Sequence, residues 1–404
     1  MRQFSSKIIV CQHGARRRYA VPRMFEKQGI LEAFYTDSYA QSMLGVIASK
    51  LGTIAPSTLQ RLTRRCITGI PKNKIHATDY MFFIEFLQAC LGRKKVGIQL
   101  FLQRHQILSK QMKNWGLRES SIVYSMYHEN LDFIKWAKSE GAISVVDVFI
   151  SPITDAVMEE EIHKFPDWNT ISNASEVKIN SQLWNETAEL ADLLICPSEW
   201  VAEGIRQMTP EATDKIRIVP YGCSIDYQGR TNKPIKGRVL FAGGDALRKG
   251  LHYLAEAASV LKKHLPELDV RIAGVLPTLV TEHPICKNLN FLGKLTSSQM
   301  KEEYLTADVF VLPSLSEGFA GVVAESIGAG CPVIVTKEAG SPIVDEREGL
   351  IIPSKSSSAL VGAIDRFVTD RKFRDKCSKA CINQVSFYSE DEWGERLARQ
   401  IVEN

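Results

Sequence analysis

The strongest constraint in this chain is a rhythm. Short runs of apolar, largely β-branched residues recur along it, each followed by a stretch with helical spacing, and the pattern restarts about halfway. Lys7 to Gln12, Ser121 to Met126 and Ala142 to Phe149 read as strands, since apolar runs without polar alternation suit strands covered on both faces. Helices are expected around Val21 to Gln28 and Val177 to Leu190, the second leading into the apolar run Ala191 to Cys196. Lys215 to Pro220 then runs into the turn Tyr221-Gly222-Cys223. A polar stretch from Asp226 to Lys236, carrying Gly229 and Pro234, makes the best domain boundary. Beyond it strands are expected at Arg238 to Phe241, Asp269 to Ala273, Leu289 to Leu292, Val309 to Pro313 and Val333 to Thr336. Strands alternating with helices build parallel sheets. A chain of 404 residues exceeds one ordinary core, so the expected fold is α/β, with two Rossmann-like domains at 1–228 and 229–388. Ligands of such sheets bind outside the carboxyl ends of the strands, which puts the expected site in the cleft between the domains.

Composition narrows the functional classes. The longest apolar stretches, such as Tyr80 to Leu91, fall short of the roughly 20 residues that a membrane span needs, and that one contains Glu85. The start of the chain reads as a strand rather than a signal peptide, so a cytoplasmic protein is expected. Nine scattered cysteines, with Cys377 and Cys381 the closest pair and no Cys-x-x-Cys, indicate neither a disulfide framework nor a zinc site. Charge is uneven. Residues 44–115 hold twelve basic side chains, among them Lys50, Arg61, Arg64 and Arg93 to Lys95, against Asp79 and Glu85. Apolar residues such as Phe82, Phe83, Phe86, Leu87, Leu91 and Phe101 recur there at helical spacing. One reading is a solvated helical face. The sharper one is a polybasic amphipathic surface that docks on anionic lipid or an acidic acceptor. Nucleic acid is not expected, because no base-reading motif accompanies the charge.

The most informative segment runs from Val309 to Pro353. A strand ends at Pro313, a loop carries Glu317-Gly318-Phe319-Ala320-Gly321, and a helix opens near Ala320 and stops at Gly330. Glycines allow close approach of backbone to ligand, and the unpaired amides of a helix start favour anions. Glu317 and Glu325 stand beside that positive pole, where carboxylates suit hydroxyl groups. Sugar hydroxyls fit both facts. The alternative is that Glu317 caps the helix and Glu325 lies on its surface.

This segment resembles the Glu-x7-Glu donor signature of family 4 (group 1) retaining glycosyltransferases of GT-B fold, with Glu317 and Glu325 at its two glutamate positions. The similarity takes in FAGGDALRKG at Phe241 to Gly250, RIAGVLP at Arg271 to Pro277 and FLGKLTSSQMKEEYLTADVFVLPS from Phe291 to Ser314. It reaches back through ADLLICPSEWVAEGI and VPYGCSID, the latter ending at Asp226. The resemblance implies two Rossmann-like domains facing across a cleft, 1–228 binding the acceptor and 229–388 the nucleotide-sugar donor, with 389–404 forming a helix that returns to the first. It implies that Glu317 lies near the transferred sugar, that Glu325 binds the ribose, and that Gly318, Phe319, Ala320 and Gly321 line the sugar and diphosphate. Arg248 and Lys249 would steady the leaving phosphate. Gly244 stands where the family usually carries an arginine, and Arg248 is expected to substitute. The loop His13-Gly14-Ala15-Arg16-Arg17-Arg18 resembles the glycine-containing loop that closes over the donor phosphates, with Gly14 its key residue; the alternative is a tight strand-to-helix turn with solvated arginines. Phe149 occupies the place of a histidine that faces the donor sugar in many members. Neither Asp147 nor His128 is assigned a role.

The expected activity is transfer of a sugar, with retention, from a nucleotide diphosphate sugar (a UDP- or GDP-sugar) to a saccharide or lipid-linked acceptor in polysaccharide or cell-envelope synthesis. No cofactor and no metal are expected, because no Asp-x-Asp follows a strand of the second domain and Arg248 with Lys249 can carry the charge. The expected location is cytoplasmic, with residues 44–115 peripheral at the inner face of the plasma membrane. A nicotinamide-dependent oxidoreductase lacks its Gly-x-Gly-x-x-Gly after either first strand. The remaining alternative is a non-catalytic nucleotide-sugar-binding or scaffolding relative of the same fold, favoured by Gly244 and Phe149 at the departed positions.

Overall fold

The computed structural model describes residues 7–52, 60–90, 97–168, 174–223 and 227–402. Leu91, Arg93 to Lys95 and Asp226, all used in the sequence reading, lie outside these residues, as do the side chains of Phe86 and Leu87. Thirteen strands form two parallel sheets among the described residues. The first holds β1 (Ile8–Gln12), β2 (Leu31–Thr36), β3 (Ile75–Ala77), β4 (Ile122–Met126), β5 (Ile143–Asp147), β6 (Leu193–Cys196) and β7 (Ile216–Ile218), in the order 3-2-1-4-5-6-7. The second holds β8 (Arg238–Ala242), β9 (Asp269–Ala273), β10 (Leu289–Gly293), β11 (Val309–Leu312), β12 (Val333–Thr336) and β13 (Gly349–Ile352), in the order 10-9-8-11-12-13. The two-domain α/β expectation is met.

Three strands were not anticipated. β2 reads Leu-Glu-Ala-Phe-Tyr-Thr, and Glu32 interrupts its apolar run. β3 has three half-buried residues at the sheet edge and falls inside the basic segment, where the apolar spacing suggests amphipathic helices. β13 is four residues long. Short or edge strands carry little pattern of their own; their place is fixed by the neighbour they pair with.

Strand order locates the site. The strand order of each parallel sheet reverses once, between β1 and β4 in the first and between β8 and β11 in the second. The crevice outside the carboxyl ends of such a pair is where doubly wound sheets bind ligands. The loop after β1 begins at His13, and the loop after β11 carries Glu317. The halves meet through a shared apolar layer in which Phe319 packs edge to face on Tyr221, and Tyr221 on Trp393. Trp393 belongs to the terminal helix Glu390–Val402, which lies on the helix Ala20–Lys27 through Arg23–Glu390 at 2.8 Å and Lys27–Asp391 at 2.6 Å.

Candidate active site

From the second sheet, β8 ends at Ala242 and the chain turns through Gly243-Gly244 toward the helix Leu251–Leu261. A Cβ at Gly243 would meet Lys249 Cδ at 2.2 Å, so glycine is needed there to let the lysine stem lie along the backbone. Gly250, in the left-handed region at φ 71°, ends the loop; a Cβ there would meet the Pro313 carbonyl at 2.1 Å. These two close approaches hold Arg248 and Lys249 against the strand that carries the donor loop.

The consequence is a charge cluster. Lys249 Nζ lies 2.6 Å from Glu317 Oε1 and Arg248 Nη1 lies 2.9 Å from Glu317 Oε2. Arg248 also donates to the Ser316 carbonyl at 2.8 Å and to Asp245 Oδ2 at 2.8 Å. Glu317 does not cap the helix Gly321–Gly328, whose Ala320 N-cap receives no side-chain bond. Its backbone instead donates to Glu338 O at 2.9 Å, and the Ala320 amide to Ala339 O at 3.2 Å, so the loop is clipped to the segment after β12. Ala320 therefore offers no free amide to a ligand in this structure, whereas Gly321 opens the helix with nothing within 4 Å of where a Cβ would be. The face beside Gly321 is open.

Glu325 sits one turn further along that helix. Tyr304 donates to its Oε2 at 3.1 Å and Tyr227 donates to its carbonyl at 2.7 Å. Burial pushes its carboxyl above the usual range, partly offset by the Tyr304 hydroxyl and by the charge of Arg18 across the cleft. A carboxyl raised on folding stabilises the fold at low pH, where it is protonated, and loses that contribution as pH climbs through the raised value. Glu325→Gln is therefore expected to raise Tm by a few degrees at pH 7.5 while weakening nucleotide binding, with the gain in Tm vanishing near pH 4. A differential scanning experiment at both pH values checks this; an equal gain at both would contradict it.

The first sheet presents the arginine loop. Gln12 donates from its side chain to the carbonyls of Gly14 (3.0 Å) and Arg16 (3.1 Å). Gly14 has φ +65° and its amide donates to Asp37 Oδ1 at 2.9 Å; Asp37 in turn pairs with Arg65. Arg17, Arg18 and Tyr19 follow with φ of 47°, 51° and 60°. Three consecutive non-glycine residues in the left-handed region cost on the order of 1–3 kcal/mol each and persist only when their surroundings hold them. Tyr19 is buried, and the Arg17 guanidinium stacks 3.7 Å over the Tyr221 ring. Beneath it Asp147, fully buried, accepts hydrogen bonds from Tyr124 (2.6 Å) and Tyr221. Burial pushes Asp147 up in spite of those two hydroxyls and the nearby Arg17 and Arg16.

Where the halves touch, Gly318 meets Phe149. A Cβ on Gly318 would fall 1.7 Å from the Phe149 carbonyl, and the Ser198 hydroxyl donates to Gly318 O at 2.7 Å. Phe149, at the place of the family's histidine, carries the Arg16 guanidinium 3.9 Å over its ring. The structure thus brings Arg248, Lys249 and Glu317 into one cluster, with Gly318 and Phe319 against the first domain, Gly321 open and Glu325 a turn away. At Gly244, where the resemblance leads one to expect an arginine, a Cβ would meet the Val275 carbonyl at 3.4 Å. Sequence reasoning missed the Asp147, Tyr124 and Tyr221 cluster and the left-handed arginine run, which depend on contacts across the sheet. Among the described residues no group of three or more His, Cys, Asp or Glu side chains is placed to hold a metal ion, and no helix is long and apolar enough to cross a membrane.

Two facing Rossmann-like domains with this site at their switch points define the GT-B class of fold. The solved structure of the Anabaena protein HepE, in complex with UDP and glucose, superposes with a TM-score of 0.64 over 99% of this chain and 100% of that one, at 13% identity. Residues 228–384 match the family described as glycosyl transferases group 1. An uncharacterized glycosyltransferase of Methanocaldococcus jannaschii is 31% identical over 171 residues, 41% of this chain and 43% of that protein. The D-inositol 3-phosphate glycosyltransferase of Corynebacterium urealyticum is 26% identical over 186 residues, 42% of this chain and 43% of that protein. The chain thus spans less than half the length of these two relatives.

Proposed function

We propose that the protein moves a sugar, with retention and without a metal ion, from a UDP- or GDP-sugar to a hydroxyl of a saccharide or lipid-linked acceptor in polysaccharide or envelope synthesis. The observation that carries this reading is the convergence of Arg248 and Lys249 on Glu317 at the switch point of the second sheet. As the bond from the anomeric carbon to the diphosphate stretches, charge grows on the leaving oxygen. Two cations already oriented and partly desolvated neutralise it with little reorganisation. The helix start at Gly321 adds its positive pole. Glu325, with one oxygen held by Tyr304, keeps the other for ribose hydroxyls. The acceptor oxygen bonds to the anomeric carbon on the face from which the diphosphate leaves, and its proton passes to the departing phosphate oxygen. No cofactor enters this scheme beyond the donor, and the UDP held by the solved neighbour supports a nucleotide-sugar donor.

The test is thermal-shift binding of UDP, GDP and ADP with and without EDTA, followed by nucleoside diphosphate release from the matching sugars and NMR of the product anomer. A selective shift untouched by EDTA is expected, since a ligand that binds only the folded state raises its stability by mass action. Absence of any shift at millimolar nucleotide would leave the scaffolding alternative in its place.

The same reading extends to a cytoplasmic protein held at the inner face of the membrane. On the helix Met43–Leu51 the side chains of Met43 (71% exposed), Val46, Ile47 and Leu51 face solvent, and so do Tyr80 and Phe83 on the helix Tyr80–Cys90. Asp79 joins the two helices by accepting from Ser42 Oγ at 2.7 Å and Leu44 N at 2.9 Å. Exposed Lys50, Arg61 and Arg64 supply the charge. An apolar face beside a basic rim matches an anionic lipid surface. Cosedimentation with phosphatidylglycerol vesicles should fall as salt rises and drop several-fold in Met43→Ser/Ile47→Ser; equal binding to purely zwitterionic vesicles would count against it.

A further inference from the structure

The first domain holds a cavity of about 440 Å³, within the roughly 300–1,000 Å³ of ordinary small-molecule sites. Its walls come from the ends of β4 and β5 and from the helices Gly97–Trp115, Thr154–Lys164 and Ala174–Leu190. Phe101, Tyr127, Phe149 and Trp184 line it with ring faces and edges. His128 also lines it, at φ 62°, its ring stacked 3.6 Å from that of Tyr127. That histidine is 8% exposed and its Nε2 has no hydrogen-bond partner. A buried polar atom left unpaired costs free energy, and a ligand hydroxyl would satisfy it. Burial holds the imidazole down to about 3, so it is neutral at physiological pH and able to donate or accept but not to attract an anion.

Charge around the cavity is one-sided. Asp155, Glu159 and Glu176 line it, and among the described residues the one cation in its lining, Arg16, is paired with Glu129 at 3.1 Å. The cavity also shares a wall with the reacting centre. Phe149 abuts Gly318, and Thr154 Oγ1 lies 2.8 Å from Ser316 Oγ, the residue before Glu317.

Resting on the transferase reading above, we propose that this cavity is the acceptor subsite and that it takes an uncharged or amine-bearing sugar ring, excluding phosphorylated and carboxylated ones. Aromatic walls suit the apolar face of a pyranose, His128 meets a ring hydroxyl, and three carboxylates repel an anionic substituent by the logic of negative discrimination. If the acceptor is lipid-linked, its phosphate stays outside the cavity, on the side of the basic helices.

The experiment measures binding of p-nitrophenyl β-glucopyranoside, glucosamine, glucose 6-phosphate and glucuronic acid to the full chain by saturation-transfer NMR. Thermal shift by UDP and GDP is measured in parallel. The neutral and amine-bearing probes should saturate at millimolar concentration and the two anionic ones should not. Phe101→Ala should weaken the nitrophenyl glycoside about tenfold and leave the nucleotide shift intact. Glu159→Lys, at an exposed position, should admit glucose 6-phosphate and narrow its disadvantage at least tenfold. Tighter binding of the anionic probes, no saturation by any neutral probe, or indifference to both variants would overturn the proposal. Loss of the nucleotide shift with probe binding intact would instead overturn the donor reading and leave the cavity standing.

Discussion

Lys249→Ala is expected to lower kcat/KM for the nucleotide sugar by about 10²–10³-fold, the scale of removing one preorganised donor from a developing anion. Arg248 and Lys249 both reach Glu317, but they are held differently. Arg248 is tied to Asp245, to the Ser316 carbonyl and to Glu317, and its own carbonyl accepts from the Leu315 amide at 2.8 Å. It is a strut of the donor loop. Among the described residues Lys249 makes a single side-chain hydrogen bond, to Glu317, on a flexible stem laid over Gly243, and on the proposed reading its ammonium turns to the diphosphate when the donor arrives. The loss in Lys249→Ala should therefore fall mainly on kcat. Arg248→Ala should raise KM and lower Tm as well, because the loop loses its strut. Since both cations compensate one carboxylate that is 12% exposed, the double variant should cost less than the two singles combined. Steady-state release of nucleoside diphosphate from each variant, read beside its melting curve, checks all three; turnover of Lys249→Ala within a few-fold of wild type would remove the lysine from the chemistry.

What could be read from the chain divides along a physical line. Features set by neighbours in sequence were legible: the apolar runs of β1, β4, β8 and β11, the restart after residue 237, the helix that opens at Gly321, and the eight-residue step from Glu317 to Glu325 that places both near one helix start. Those set by sheet topology were not. Asp147 meets Tyr124 only because β4 and β5 are adjacent, and Tyr221 only because its turn folds back over the same sheet edge. Nothing in Arg16-Arg17-Arg18-Tyr19 announces three left-handed residues; the stacking of Arg17 on Tyr221 holds them there. Gly318 was singled out as a glycine that lets a ligand approach. In this structure the close approach is by the Phe149 carbonyl, so the glycine serves the contact between the halves. The helical spacing of Phe82, Phe83 and Phe101 in the basic segment is met by the helices Tyr80–Cys90 and Gly97–Trp115, yet β3 inside the same segment pairs with β2 because an open sheet edge offers hydrogen bonds that a three-residue run can take.

Asp308→Ala is expected to destabilise the second domain by about 3–5 kcal/mol, the range for breaking a buried ion pair from one side. Asp308 is fully buried at the start of β11. It accepts two bonds from Arg371, at 2.7 and 2.8 Å, and one from the Gly237 amide at 2.9 Å, and lies 3.3 Å from Arg374 Nε. Arg374 is itself 2% exposed and donates to Asn232, whose amide side chain donates to the Tyr304 and Ala307 carbonyls at 2.8 Å. One carboxylate thereby fastens the connection between the domains to the strand that leads into Glu317. Removing it leaves the buried Arg374 with only the largely exposed Asp375, at 3.2 Å, as a charge partner, which costs more than the lost attraction. Asp308→Asn keeps the shape and the bond from Gly237 but not the charge, and should fall between. For a unit of this size the alanine variant should drop Tm by roughly 10 °C or more, and the lost order around Asn232 should loosen Tyr304 against Glu325. UDP affinity is then expected to fall along with Tm, although residue 308 touches no ligand; a melting curve by circular dichroism and a UDP titration of the same sample test both halves of that statement, and a drop under about 1 kcal/mol would mean that Arg371 and Arg374 find other partners when the carboxylate is gone.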